Sequence, residues 1–215
     1  MVIQLTQYSS GEAFVINTFV EGNNNSIVFS CDGEPRVIGD AKICIKGSDN
    51  IINFGKDVIL NNFSIDIQAD QCQIDICDSV RFGGRIIMKI SPSNSLVIGE
   101  GTTIGGCNFV VGEGGKVVVG KDCMFSWGIE VRNTDSHAIL DSEGNRINFA
   151  RDIDISDHVW IGAKSTILGG VVLGENSVVG IGSVVTGEHV PAVVLAGVPA
   201  RVVRTGINWS RELLG

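Results

Sequence analysis

The hydrophobic positions of this 215-residue chain keep two clocks. In the last third, Ile155, Ile161, Ile167, Leu173, Val179 and Val185 stand six apart without a slip. Four positions after each come Val159, Ser165, Val171, Ser177, Ser183 and His189, mostly small or β-branched. A period of six is neither helical nor simply alternating. It predicts a short strand plus a turn, repeated, with one aliphatic side chain per repeat aimed inward. Three repeats close an 18-residue triangular coil, and stacked coils bury a continuous aliphatic column.

The first half runs on a period of 22. Ile38, Leu60, Phe82 and Ile104 keep it, as do Ile43, Ile65, Ile87, Phe109 and Val131. Ile52, Ile74, Leu96 and Val118 form a third column. This reads as the same solenoid with about four extra residues per coil placed in its corners. One solenoid is therefore expected from about residue 35 to 190. Residues 1–34 are polar and irregular, with "EGNNNS" as a turn, and are expected as an N-terminal segment or a poorly patterned first coil. Residues 191–215 are expected as a loop and a short helix or tail, with Ser210 as the N-cap.

The count breaks once. After Val131 the next inward position would be His137, and the rhythm resumes only at Ile153 or Ile155. The stretch between, about 136–152, contains the turn signal "DSEGN". A long loop thrown from a rigid repeat wall is where function is usually carried.

Composition narrows the reading further. Aromatics are only 6% of residues, which favours strands and turns over helical packing. A net charge of −8 with no basic cluster argues against nucleic-acid binding. No apolar run is long enough to span a membrane, and residues 1–30 lack a secretory pattern. The six cysteines form no CxxC pair and are expected as small buried hydrophobes in a reducing compartment. The three histidines, 21 and 31 apart, do not fit a zinc site, so no metal is expected.

Several stretches together carry a resemblance. They are "NTDSH" ending at His137, "DHVWIGAKSTILGGVVLGENSVVGIGSVVTG" from Asp157, and "AGVPARVV" from Ala196. With them the chain resembles the hexapeptide-repeat acyltransferases, well over residues 119–209 and in general design over 35–118. Within that family the likeness is to capsular-polysaccharide O-acetyltransferases, including those acting on sialic acid capsules, and "GINWSRE" near the end adds to it. The resemblance implies an all-β, left-handed parallel β-helix. It also implies a cytoplasmic homotrimer with active sites between subunits, and acetyl-CoA as donor to a sugar hydroxyl. Two other readings stay open: N-acetylation of a nucleotide-linked amino sugar, and a non-enzymatic scaffold.

Acetyl transfer from a thioester to a hydroxyl needs a base and an oxyanion donor, but no metal and no covalent enzyme intermediate. His137 matches the family's catalytic histidine, and a neutral imidazole suits the base. Asp135 either orients that ring or caps the loop through an Asx turn. Trp160 holds a slot where other repeats place Thr166, Val172, Val178, Val184 and Val190. It either lines the catalytic site, with its indole N–H as oxyanion donor, or fills a wide coil. The resemblance assigns the CoA contacts to Gly162, Ala163, Ile181, Gly182, Ser183, Thr186, Arg201 and Arg204. Relatives often carry Ala where Ile181 stands and Lys where Gly187 stands, which removes one expected phosphate contact. An anionic glycan would need Arg132, Arg146 or Arg151 at the pocket.

Overall fold

Ile155, Ile161, Ile167, Leu173, Val179 and Val185 all point into one core, each 0% exposed. Ile155 pairs with Leu173, Ile161 with Val179 and Ile167 with Val185, so one coil is 18 residues, as the sixfold rhythm predicts. The structure, a computed structural model, describes residues 2–9, 12–31 and 33–215, with side chains from residue 16 onward apart from residue 32. Its strands stack in parallel into a solenoid with three faces.

Along the upper coils the first face holds Met124–Phe125, Trp160–Ile161, Val178–Val179 and Val193–Gly197. The second holds Ile129–Arg132, Thr166–Leu168 and Val184–Val185. The third holds Ile153–Ile155, Val172–Leu173 and Glu188–His189. Four positions after each core aliphatic, Val159, Ser165, Val171, Ser177 and Ser183 are also buried. His189, at the same phase, is partly exposed.

The wide coils differ from expectation in detail. Their extra residues do not all sit in corners. The first and second faces merge into long strands such as Ile59–Gln68, Arg81–Lys89 and Thr103–Gly112. Third-face strands lengthen from two residues at Val172–Leu173 to four at Gln73–Ile76. Each long strand bends at a register shift. A one-residue slip turns a side chain from core to solvent. That slip corrects two assignments, and a coil one residue shorter corrects a third. Val37 pairs with Leu60 in the core while Ile38 is 42% exposed. Ile86 pairs with Ile65 and is buried, and Ile87 turns partly outward. Val117 pairs with Leu96 and is buried, leaving Val118 outside.

The N-terminal segment is more regular than its polarity suggests. Glu12–Glu21 pairs in parallel with Arg36–Lys46, and Ser26–Phe29 with Ile51–Phe54, so residues 12–29 form the first coil. Val2–Ser9 adds an antiparallel edge strand, and "EGNNNS" is the turn between Glu12–Glu21 and Ser26–Phe29. At the other end the expected loop is a β-hairpin, Val193–Gly197 with Ala200–Thr205, which caps the stack. The expected short helix after it does not form. Residues 206–215 are an extended tail, and Ser210 accepts a bond from Glu212 N within a bend. Trp209 and Arg211 bind the solenoid wall, and that anchoring holds the tail out of a helix.

The cysteine expectation holds in part. Cys72, Cys107 and Cys123 are buried, and burial pushes the Cys123 thiol up to about 11. Cys31 is exposed.

Candidate active site

The loop leaves the corner between the second and third faces, after Arg132, and returns at Ile153. Its first residue is pinned by a buried amide. Asn133 accepts from Gly112 N at 2.9 Å and donates to Gly112 O at 3.0 Å. Thr134 then donates to Glu113 of the coil below. Arg146, on the returning limb, pairs with the same carboxylate at 2.7 Å. Bonds from Arg146 and Thr134 hold the Glu113 carboxyl below the usual carboxylate range. At the tip, "DSEGN" is a turn as expected, closed by Asp141 O accepting from Gly144 N and Asp141 Oδ1 from Asn145 N.

His137 sits on the outgoing limb, exposed, its ring without a hydrogen bond among the described residues. Its main chain is fixed instead. Asn148 Nδ2 donates to the His137 carbonyl at 2.8 Å and to Asp135 Oδ2 at 2.8 Å, while Asn148 Oδ1 accepts from Ile139 N at 2.7 Å. One amide thus clamps both limbs of the loop around the histidine. Of the two roles expected for Asp135, the bond to Asn148 fits loop support, since that amide also holds the His137 carbonyl. Asn148 was not legible in the sequence, because a lone Asn in a polar loop carries no spacing signal.

Trp160 faces outward on the first face, between Met124 of the coil below and Val178 of the coil above, and is 36% exposed. The loop departs from the opposite edge of the prism, between the other two faces. Within one chain, then, His137 and Trp160 lie on different sides of the solenoid. Beside Trp160 runs the tail. It descends the third-to-first corner, where Ile207 N donates to Ala192 O, Trp209 Nε1 to His158 O, and Arg211 to Asp122 and the Cys123 carbonyl. The Trp209 ring stacks on His158 at 4.1 Å and lies 6.1 Å from Trp160. The sequence pointed to "GINWSRE" as a likeness but not to this role.

The expected CoA residues spread over two corners and the cap. Ala163, Ile181 and Gly182 lie on the first-to-second corner, beside Trp160. Gly182 N donates to Ala163 O, whereas among the described residues the N–H groups of Ala163 and Ile181 have no acceptor. Gly162 is required by stacking: a Cβ there would sit 2.7 Å from Ile181 N. Ser183 turns inward, donating to Gly180 O at 2.7 Å and accepting from Gly197 N, which leaves only its main chain for a ligand. Thr186 lies on the next corner.

Arg201 and Arg204 lie on Ala200–Thr205, an odd spacing that would put them on opposite faces of a regular strand. A bulge corrects this, since Arg201 pairs with Ala196 and Arg204 with Val194, two apart on the partner strand. Both arginines therefore share one side. Trp160, Val178, Val194 and Arg204 form consecutive rungs of the first face, so Arg204 stands about 14 Å above Trp160 along the stack.

A cleft of about 610 Å³ opens between the loop and the wall, with Arg132, Asp135, Asn148, Phe149, Arg151 and Thr186 among its lining. A second cleft of about 590 Å³, lined by Phe19, Ile27 and Phe29, belongs to the first coils, several coils below the loop, and offers no arginine. The chemistry therefore points to the loop cleft. Among the described residues, no three His, Cys, Asp or Glu side chains gather where they would hold a metal ion. No helix among them is long and apolar enough to cross a membrane.

A parallel solenoid of 18-residue coils with a histidine loop thrown from one corner is the architecture of the hexapeptide-repeat acetyltransferases. Comparison agrees. The chain is 34% identical over 151 residues to a polysialic acid O-acetyltransferase of Neisseria meningitidis, covering 70% of this chain and 68% of the relative. It superimposes on the polysialic acid O-acetyltransferase OatWY with a TM-score of 0.82 at 30% identity, over 91% of this chain and 93% of that one. The polySia-specific acetyltransferase NeuO gives 0.81 at 30% identity, over 91% and 89%. No protein-family model matches the chain. The chain belongs to the hexapeptide-repeat acetyltransferases, in the group of capsular-polysaccharide O-acetyltransferases. It is an O-acetyltransferase.

Proposed function

We infer that the chain transfers an acetyl group from acetyl-CoA to a hydroxyl of a surface polysaccharide, with polysialic acid the first acceptor to test. His137 takes the hydroxyl proton as the acceptor oxygen attacks the thioester carbonyl. The Trp160 indole N–H donates to the oxyanion of the tetrahedral intermediate. On collapse the C–S bond breaks, and the imidazolium gives its proton to the departing thiolate. The donor lies along the first face, its amides meeting the N–H groups of Ala163 and Ile181 and its phosphates meeting Arg201 and Arg204. The Trp160-to-Arg204 column supports this orientation, because it matches an extended molecule with a reactive thioester at one end and charge at the other. No metal enters the reaction. The six free cysteines support a cytoplasmic setting.

One observation carries the assembly: His137 and Trp160 occupy different sides of a single chain. A site needing both must form between copies, with the loop of one reaching the first face of the next. Exposed apolar side chains on both surfaces support the contact. Ile139, Leu140, Ile147 and Phe149 are on the loop, and Trp127 and Ile181 flank Trp160. A closed ring of three copies satisfies every such contact.

Complementation tests this reading. His137→Ala and Trp160→Ala chains, each inactive alone, are co-expressed and assayed by thiol release from acetyl-CoA with polysialic acid present. Restored turnover is expected, since some interfaces pair an intact histidine with an intact tryptophan. A mixture as inactive as its parts overturns the shared site.

A further inference from the structure

We propose that Arg151 is a specificity-determining residue that recognises an acidic group on the acceptor sugar. The proposal deepens the reading above and rests on the loop cleft being the acceptor side of the site.

Three arginines flank or lie in the loop, and the structure separates them. Arg146 is committed to Glu113 at 2.7 Å. Arg132 donates to the Thr134 carbonyl at 3.1 Å and stands 3.7 Å from Glu130. Arg151 is different. Its main-chain N–H donates to Asn133 O, but among the described residues its guanidinium has no ion pair and no hydrogen bond. The adjacent Asp152 carboxylate is turned away, accepting from Lys116 N at 2.8 Å. The one carboxylate lining the cleft, Asp135, accepts from Asn148 and makes no ion pair with this guanidinium.

Its neighbour on the wall is a glycine. The guanidinium lies against Gly170, where a Cβ would come within 2.8 Å of Arg151 Cζ. Gly170 has φ of 84°, which only glycine adopts readily. The same cleft contains Asp135 and Asn148, the two groups that bracket His137. An acceptor lodged there meets the fork of Arg151 while presenting a hydroxyl toward the histidine limb. A planar guanidinium with free donors suits a bidentate carboxylate. The shared chemistry is an oxyanion, and it has two possible sources: a sugar carboxylate or a CoA phosphate. The first is favoured because the arginines of the cap, Arg201 and Arg204, already stand above Trp160 on another face.

The test compares oligomers of sialic and hexuronic acids with their methyl esters, which keep the sugar and remove the charge. Wild-type enzyme should favour the acid over its ester in kcat/KM by roughly 10- to 100-fold. In Arg151→Gln that ratio should collapse toward one through a raised KM for the acid. Arg151→Lys, which keeps charge without the fork, should restore part of it. The KM for acetyl-CoA should not move. A rise in that KM assigns Arg151 to the donor's phosphate and overturns the proposal. So does a panel in which no acid is acetylated, or equal loss on acid and ester. His137→Ala on the same panel keeps the two readings apart. Turnover surviving it removes the base assignment and leaves the acid-to-ester ratio measurable. A ratio near one in wild type, with His137→Ala inactive, removes only the Arg151 assignment.

Discussion

His158 Nδ1 stands 2.7 Å from Asp122 Oδ2 of the coil below, and its Nε2 lies 3.1 Å from the Trp209 carbonyl. Both partners accept, so each bond is made by the ring nitrogen that carries the proton. Asp122 also takes Arg211 at 3.0 Å. Burial alone would push the Asp122 carboxyl up, but His158 and Arg211 outweigh it and hold it below the usual carboxylate range. This corner ties the tail to the wall beside Trp160. Truncating Trp209 to Ala should release it. Hydrogen exchange across residues 207–212 should accelerate, and Tm should fall by about 2–4 °C for each kcal/mol lost. Unchanged protection would mean that Arg211 and the Ile207–Ala192 bond hold the tail without the ring.

The loop should be sensitive to acid through Glu113. Its folded carboxyl is held below the ordinary value by Arg146 and Thr134. The stabilisation is therefore complete above about pH 4.3, the unfolded value, and is lost as pH falls through the lower folded value. Limited proteolysis at the "DSEGN" turn should speed up over that acid window. Glu113→Gln should show the loosened loop already at pH 7 and a flat response below it. A wild-type loop equally protected across the window would remove Glu113 as its anchor.

Replacing His137 by Ala should cut turnover by roughly 10²–10⁴-fold. Its ring is exposed and bonds nothing among the described residues, so Tm should hold within about 1–2 °C. Donor binding, followed by calorimetry with CoA, should also hold. Activity within a factor of a few of wild type would require another base.

Trp160→Phe keeps most of the ring volume and removes the indole donor. If that N–H meets the oxyanion, turnover should fall by about 10²–10³-fold with stability unchanged. Trp160 is 36% exposed, so a pure packing role would register in Tm, not in rate. Near-normal turnover in a stable Phe variant would leave only that packing role.

Removing Arg204 should weaken acetyl-CoA binding by about 1.5–3 kcal/mol and leave the maximal rate nearly unchanged. Arg201, on the same side of the bulged strand, should behave alike, although it also donates to the Ala200 carbonyl at 2.8 Å. Equal binding of CoA and dephospho-CoA by wild type would mean that the 3′-phosphate is not what they hold.

Periodicity alone determined most of the architecture. Residues six apart had to share an interior, because a stack of short strands offers each coil one inward place per face. The same logic exposed the loop, since a break in so strict a rhythm has nowhere to go but outward. The phase of the wide coils was not legible. Ile38, Ile87 and Val118 are as apolar as the Val37, Ile86 and Val117 that replace them in the core, and only the bulges and the exact coil lengths decide between neighbours. His137 and Trp160 were readable because each breaks its local pattern. Arg151 stood beside Arg132 and Arg146 as a candidate with nothing to separate the three, and neither Asn148 nor the role of Trp209 was legible. The roles of Asn148, Trp209 and Arg151 come from partners 11, 51 and 19 positions away: the His137 carbonyl, the His158 ring and Gly170. No spacing in the chain encodes which coil lies above which corner. That was left to tertiary stacking, which also sets His137 and Trp160 on separate sides of one chain.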